Sequence, residues 1–244
     1  MDQRVVPSKL AAGHSCEDCP IRYRAVCARC DGDELLELES IKGYRRFEAG
    51  QSIVMAGDEL EHLSSVVDGT AVLTRSLEDG RRQMVGMLLP SDFIGRPGRA
   101  SSPYDVTAAT DVLLCSFRRR PFERMMERTP HIGQRMLEMT LDELEAARDW
   151  MLLLGRKTAR EKVASFLVLL MRRSSDGTMR VTIPISREAM AEYLGLTIET
   201  VSRQMTALRK DGVIALHGTR VVQATDWEGL LEAAGDDSDG GVIS

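Results

Sequence analysis

The strongest constraint on the fold is the spacing of small and apolar residues in ISREAMAEYLGLTIETVSRQMTALRKDGVI, residues 185–214. Ala191, Gly195 and Val201 follow one another at steps of four and six, which is helix-turn-helix spacing. Gly195 stands at the turn, because glycine adopts a positive φ without steric cost. The other apolar positions are Met190, Leu194, Leu196, Met205 and Leu208. The next segment, KDGVIALHGTRVVQA, alternates like a two-stranded wing. We therefore predict a winged helix-turn-helix at residues 184–223, with an ordinary helical hairpin as the alternative.

The second helix of this motif carries the side chains that we predict to contact DNA bases. Glu199, Ser202 and Arg203 lie close together near the N-terminal end, which enters the major groove. Arginine donates to guanine, glutamate accepts from the cytosine amino group, and serine contacts thymine. Other polar residues are predicted to bind phosphates, which position the protein without specifying sequence, or else to be solvated surface residues. They are Ser186, Arg187, Thr197, Thr200, Lys210 and Arg220.

The net charge of −5 is unevenly distributed. Residues 156–226 contain twelve Lys or Arg against seven Asp or Glu, which gives +5, so the remainder carries −10. Salt screens charges beyond about 8 Å at physiological ionic strength, so the local excess matters more than the total for attracting phosphates. The basic segment permits DNA binding without establishing it.

The segment between residues 44 and 117 consists of short β-rich runs separated by turn residues. Runs such as SIVMA, TAVLTRS and VLLCSF alternate with Gly-, Asp- and Pro-containing turns, which favours an all-β roll or barrel. EDGR at 78–81 joins two alternating runs and predicts a hairpin.

Pro130 opens a long amphipathic helix that we expect to end near Gly155. Its apolar stripe needs a partner. A symmetric helix pair at a twofold axis is the simplest partner, and packing on the chain's own β-roll is the alternative. The predicted dimer residues are Ile132, Met136, Leu137, Leu141, Leu144 and Met151.

Four of the five cysteines fall within fifteen residues, which suggests metal or redox chemistry in a cytosolic chain. Cys16, Cys19, Cys27 and Cys30 form a paired C-x2-C pattern of the kind that binds zinc, although the loop between the pairs is short. A second possible set replaces Cys30 with the distant Cys115. From the residues alone Cys115 is more readily interpreted as a buried strand cysteine, and both sets stay open.

Taken together, these segments resemble the CRP/FNR superfamily of bacterial transcription regulators over nearly the whole chain. IETVSRQ at 198–204 resembles the FNR branch, and CEDCPIRYRAVCARC at 16–30 and DELEAARDWMLLLGRKTAREK at 142–162 resemble FnrL-type, oxygen-responsive members. The resemblance implies an α+β fold: an N-terminal β-roll (a jelly roll of the cyclic-nucleotide-binding kind), a long dimerisation helix and a C-terminal winged helix-turn-helix.

The same resemblance implies a function and a cofactor. One [4Fe–4S] cluster per monomer would be held by Cys16, Cys19, Cys27 and Cys115, with Cys30 spare or an alternative third ligand. The homodimer would bind a palindrome with TTGAT-like half-sites under low oxygen and recruit RNA polymerase, mainly to activate transcription. The EDGR turn is a candidate polymerase contact. A regulator of the same fold controlled by a small ligand, zinc or a thiol switch is the alternative.

Cyclic AMP is not an expected effector. Cyclic-nucleotide binders of the superfamily carry Gly-Glu and then Arg-Ser, whereas FIGRPGRASSPYDVTA has Arg96 after Gly95 and Tyr104-Asp105 in place of Arg-Ser. The Asp105 carboxylate would repel a cyclic phosphate.

Other function classes find little support. The four histidines are scattered and there is no nucleotide-binding loop or nucleophile motif, so no enzyme is expected. The chain has no apolar run of membrane-spanning length and no signal-peptide pattern, so we expect a cytoplasmic protein. The expected domains are a Cys-rich arm at 1–32, the β-roll at 33–129, the dimerisation helix at 130–155, the winged helix-turn-helix at 156–230, and a disordered acidic tail at 231–244.

Overall fold

The computed structural model describes residues 15–174 and 178–235. The chain divides into two units, Met1–Thr140 and Leu141–Ser244, and one helix, α3 (Pro130–Arg156), runs through the boundary. The other elements of the first unit are α1 (Gly32–Ile41), β1 (Lys42–Phe47), β2 (Ser52–Val54), β3 (His62–Asp68), β4 (Ala71–Ser76), β5 (Arg82–Leu88), β6 (Phe93–Ile94), β7 (Asp105–Ala108), β8 (Val112–Arg118) and α2 (Arg119–Arg128).

The first unit is a β-roll made of two antiparallel sheets. Their strand orders are β1-β8-β3-β6 and β2-β7-β4-β5. Apolar residues from both sheets form an inner core between them, such as Val66 and Leu114 of the first sheet and Leu88 and Val106 of the second. Successive residues of a strand point to opposite faces, so Leu63 and Phe117 face outward. There they join α1, α2 and the start of α3 in a second apolar cluster, which we call the outer core.

The EDGR hairpin is confirmed. β4 pairs with β5, with Ser76 opposite Arg82. The Leu77 backbone N–H donates to the Arg81 carbonyl oxygen at 2.8 Å, which closes the loop. Gly80 has a φ of 85°, a conformation that favours glycine.

The second unit contains the predicted winged helix-turn-helix. Besides the end of α3, its elements are α4 (Ala159–Arg173), β9 (Arg180–Thr182), α5 (Arg187–Leu194), α6 (Ile198–Lys210), β10 (Ile214–His217), β11 (Val221–Ala224) and α7 (Trp227–Ala234). The wing has a third strand that the sequence did not indicate, because β9 pairs with β11. Thr158 and Glu161 form a capping box at the start of α4, in which each side chain accepts a hydrogen bond from the backbone N–H of the other residue.

The predicted disordered tail at 231–244 is wrong for residues 231–234, which form the end of α7. Asp226 caps the helix start, and Leu230 and Ala234 are completely buried. The Lys157 ammonium group donates to the Ala234 carbonyl oxygen at 2.8 Å. These contacts hold a short helix in place despite the acidic residues that follow. Residues 236–244 of the predicted tail, like residues 1–14 of the predicted arm, lie outside the described residues.

Among residues 15–174 and 178–235, no helix combines the length and the apolar character needed to cross a bilayer.

Candidate metal centre and nucleic-acid interface

Residues 15–31 form a series of tight turns that packs on the outer core. We call this segment the arm. Ile21, Ala25 and Val26 are buried there. The buried Arg22 guanidinium donates to the carbonyl oxygens of Cys27, at 2.5 Å, and Cys30, at 2.7 Å. Arg22 therefore fixes the turn that carries both candidates for the third ligand.

Cys115 lies on β8, on the face of the sheet that the arm covers, and is 8% exposed. Burial raises the pKa of the Cys115 thiol, and the negative charges of Cys19, Cys16 and Cys27 raise it further. Burial also raises the pKa of Cys30 to about 12, but the neighbours that add to this shift are Cys27, Glu34 and Asp31. The electrostatic neighbourhood thus groups Cys16, Cys19, Cys27 and Cys115, which we call the thiol set, and places Cys30 at its edge.

The separation of the thiols bears on which metal they could hold. Four thiolates on one tetrahedral zinc ion lie roughly 3.8 Å apart, given Zn–S distances of about 2.3 Å. Within the described residues, no three cysteine sulfurs lie within 4.8 Å of one another. The thiols are therefore not arranged as a mononuclear zinc site. A four-iron cluster takes four cysteine thiolates, and because these bind different irons it does not require the sulfurs to meet at one ion.

Lys42 is a residue of this site that sequence reasoning missed. Its ammonium nitrogen lies 3.3 Å from the Cys16 sulfur and 3.1 Å from a Glu39 oxygen. Burial acts to lower the pKa of Lys42, but these hydrogen bonds outweigh it and leave the pKa raised. A held positive charge beside Cys16 favours the thiolate, which is the form that binds metal.

The arm also contacts the beginning of α3. The Arg29 guanidinium forms an ion pair with Glu138 at 2.6 Å, and the Arg135 guanidinium donates to the Arg24 carbonyl oxygen at 2.8 Å. Ile132 of α3 is completely buried in the outer core, together with the arm residues. The arm and the helix therefore share one apolar cluster.

This burial corrects part of the predicted dimer face. Ile132 has no surface left for a partner, and Met136 packs against the outer core. The cause is that the arm and the β-roll, distant in sequence, cover the apolar stripe at its N-terminal end. The other predicted positions are exposed in the protomer: Leu137 by 60%, Leu141 by 51%, Leu144 by 45% and Met151 by 74%.

In the second unit, Gly195 forms the turn between α5 and α6 as expected. It ends α5 in the left-handed conformation with a φ of 62°. The core between the two helices includes Met190, Val201 and Leu208. Trp150 stacks on Tyr193 with ring centroids 4.1 Å apart, a contact that motif spacing did not suggest because the two rings belong to different elements.

The predicted base-contacting residues all point to solvent from the N-terminal half of α6. Glu199, Ser202 and Arg203 are exposed. Hydrogen bonds from its own backbone N–H and from Thr197 lower the pKa of Glu199. Its carboxylate therefore stays an acceptor at neutral pH, as pairing with a cytosine amino group requires. An Arg203 guanidinium nitrogen lies 3.5 Å from the Thr200 hydroxyl oxygen, which keeps the side chain along the helix surface.

The predicted phosphate-contacting residues differ in their surroundings. Ser186 and Thr197 cap the starts of α5 and α6, and their hydroxyl oxygens accept from backbone N–H groups. Arg187 is half-buried, and burial lowers its pKa. Lys210 and Arg220 are exposed and Thr200 is half-buried. Two helix starts are thus available to attract anions.

Asp105 has a structural role in the β-roll. Its carboxylate accepts from the Ala56 backbone N–H at 2.8 Å, which fixes the turn after β2. The Asp105 carboxylate is thus used as a hydrogen-bond acceptor for the backbone of the β-roll.

A β-roll with a set of thiols on its outer face, in one chain with a winged helix-turn-helix, defines a two-unit protein of the DNA-binding regulator class. Comparison with known proteins identifies the family to which the chain belongs within this class. Residues 44–129 match the cyclic nucleotide-binding domain family, and residues 161–233 match the Crp-like helix-turn-helix domain family. The chain belongs to the CRP/FNR family.

Individual relatives cover most of the chain. The transcriptional activator protein FnrL of Cereibacter sphaeroides is 64% identical over 236 residues, which are 94% of this chain and 95% of FnrL. The nitrogen fixation regulation protein FixK of Bradyrhizobium diazoefficiens is 41% identical over 213 residues, 84% and 89% of the two chains. The structure of FixK2 from Bradyrhizobium japonicum has a TM-score of 0.75 and 30% identity, and covers 82% of this chain and 100% of FixK2.

Proposed function

We propose that this chain is a transcription regulator of the FNR/FixK type, mainly an activator, that binds a TTGAT-like palindrome as a homodimer under low oxygen. Its DNA affinity would depend on one [4Fe–4S] cluster held by Cys16, Cys19, Cys27 and Cys115. The observation that carries the proposal is the position of Cys115, which is buried in the same apolar cluster that the arm cysteines pack against. When bound, such a cluster supplies oxygen-reactive redox chemistry and joins four thiolates.

The residues around the thiol set suit this role. Lys42 offers a positive charge to Cys16 at 3.3 Å, which offsets part of the cost of a buried thiolate. Arg22 fixes the carbonyl groups of the turn from Cys27 to Cys30. The hydrogen bonds of Lys42 and Arg22 thus hold the surroundings of the thiol set in place before a cluster binds.

The arm offers a route from the thiol set to dimerisation. It packs in the same apolar cluster as Ile132, and its Arg29 binds Glu138, directly after the exposed Leu137. Release of the arm would uncover apolar surface at the base of α3 and remove the support of its first turns. Since a dimer contacts two half-sites, a dimer that dissociates leaves each monomer with about half of the DNA contacts. RNA polymerase is the proposed partner of the DNA-bound dimer.

Anaerobic purification of the whole protein tests this function. Wild-type protein should contain close to four irons and four sulfides per monomer, with a visible spectrum that bleaches in air. Cys115→Ser should lose the iron and the anaerobic binding of a duplex carrying the palindrome. Cys30→Ser is the matched control, because Cys30 is also a buried arm cysteine but lies at the edge of the set, and it should keep both.

Three outcomes would contradict the proposal. If the Cys115→Ser protein retained iron and DNA binding, Cys115 would not be the fourth ligand. If the Cys30→Ser protein lacked iron and the Cys27→Ser protein kept it, the third ligand would be Cys30 and not Cys27. Zinc without sulfide in the wild-type protein would replace the oxygen-reactive cluster with a structural metal.

A further inference from the structure

A buried hydroxyl group without a partner lies on β3 beside the thiol set. Ser65 is 2% exposed, and its hydroxyl oxygen has no hydrogen-bond partner within residues 15–174 and 178–235. Buried polar groups are nearly always hydrogen-bonded, since an unmade bond costs the full desolvation of the group. The position of Ser65 therefore calls for a ligand or partner that the folded chain alone does not supply.

The strand register places Ser65 next to Cys115. Cys115 pairs with Tyr44 of β1 on one side and with Ser65 of β3 on the other. Directly opposed residues of antiparallel strands point to the same face, with Cβ atoms about 4.5–5.5 Å apart. Ser64 points to the opposite face, where its hydroxyl pairs with that of Ser116 at 2.8 Å. Of the two neighbouring serines, only Ser65 can thus turn its hydroxyl toward Cys115.

The chemistry of Cys115 explains what a donor there would do. A ligating cysteine sulfur is negatively charged, and burial disfavours that charge at Cys115. Cys16 has the Lys42 ammonium group as a donor at 3.3 Å. Ser65 offers the corresponding donor to the sulfur on the strand side of the set.

We propose that Ser65 is a positioning residue whose hydroxyl donates a hydrogen bond to the Cys115 sulfur when that sulfur is a ligand. This inference rests on the proposed function. Hydrogen bonds to cluster sulfurs withdraw electron density and so raise the reduction potential. Outer partners of this kind typically change metal affinity or activity by about 10- to 100-fold.

Ser65→Ala tests the proposal, with Ser64→Ala as the matched control on the opposite face of the same strand. In anaerobically purified protein, Ser65→Ala should lower the midpoint potential and shorten the half-time of bleaching in air by about tenfold. In metal-free protein, the same variant should raise the midpoint of thermal unfolding by about 2 °C, because an unsatisfied hydroxyl is removed. By contrast, Ser64→Ala should keep the wild-type midpoint potential, but its metal-free form should unfold at a lower temperature than wild type.

The outcomes separate this inference from the proposed function. A Ser65→Ala protein that holds iron with wild-type potential and bleaching would overturn the role of Ser65 and leave the cluster in place. A wild-type protein without iron and sulfide would overturn both. Ser65→Thr keeps the hydroxyl and should behave as wild type in both cluster measurements, so the same changes in that variant would also count against the hydrogen bond.

Discussion

Alanine substitutions at Ile132 and Leu137 separate the two faces of the first turns of α3. Ile132 has no exposed surface in the protomer, whereas Leu137 is 60% exposed. Each substitution removes three carbon atoms, at about 0.8 kcal/mol per buried methylene. For Ile132 this transfer term is about 2.4 kcal/mol, and the remaining cavity brings the expected loss of unfolding free energy to about 3–4 kcal/mol. For Leu137 only about 40% of the transfer term applies, which is about 1 kcal/mol.

Thermal unfolding of the dilute, metal-free protein and sedimentation at increasing concentration measure the two effects separately. Ile132→Ala should lower the unfolding midpoint by about 6–15 °C. Leu137→Ala should leave the midpoint within about 4 °C of wild type but weaken self-association by more than about tenfold, because its side chain is free to meet a partner. The reasoning is refuted if Ile132→Ala weakens self-association without moving the unfolding midpoint, since that result would place Ile132 on an intermolecular face.

Two further predictions concern the thiol set and the DNA-contacting helix. Burial raises the pKa of the Cys27 thiol from 9.0 to about 11 in the folded protein. This shift stabilises the fold below pH 9, and the contribution is lost as the pH rises toward 11. In denaturant unfolding, the free energy of unfolding of metal-free wild type should therefore fall more steeply between these pH values than that of Cys27→Ala. Arg203→Ala should weaken binding to the palindrome by about 1–3 kcal/mol and relax base preference, whereas Lys210→Ala should weaken all duplexes alike and lower the salt slope by about 1. Titrations of specific and random duplexes at several salt concentrations compare them, and equal losses on both duplexes for Arg203→Ala would contradict base contact.

The fold and the helix-turn-helix follow from the sequence because both are encoded by local patterns. The turn glycine at 195 and the EDGR hairpin depend on a few neighbouring residues. The α7 helix could also have been found, since Asp226 before an apolar run is a start signal and Gly235 is a stop signal. Its acidic surroundings pointed instead to disorder.

The surroundings of the candidate metal centre could not be predicted in the same way. Cysteine spacing indicates candidate ligands, but it cannot show that Lys42 reaches Cys16 or that Ser65 lies opposite Cys115. Both contacts depend on the register between strands and on how the arm docks. The burial of Ile132 has the same origin, because part of the cluster that buries it comes from the arm and α1, about a hundred residues away.

Magnitudes indicate which arm contact can couple the thiol set to the dimer face. The Arg29–Glu138 ion pair is partly exposed, with 49% and 29% of the two side chains accessible, and such pairs contribute about 0–1 kcal/mol. Ile132 is completely buried in the apolar cluster that includes the arm residues, and its burial is worth several times more. At about 100° per residue, Leu137 lies roughly 140° around the helix from Ile132, so the face that the arm covers and the face left for a partner are nearly opposite. Loss of the arm would therefore act on the dimer by uncovering the buried side of α3, and a Glu138→Gln variant, which loses only the ion pair, should retain most of its response to air.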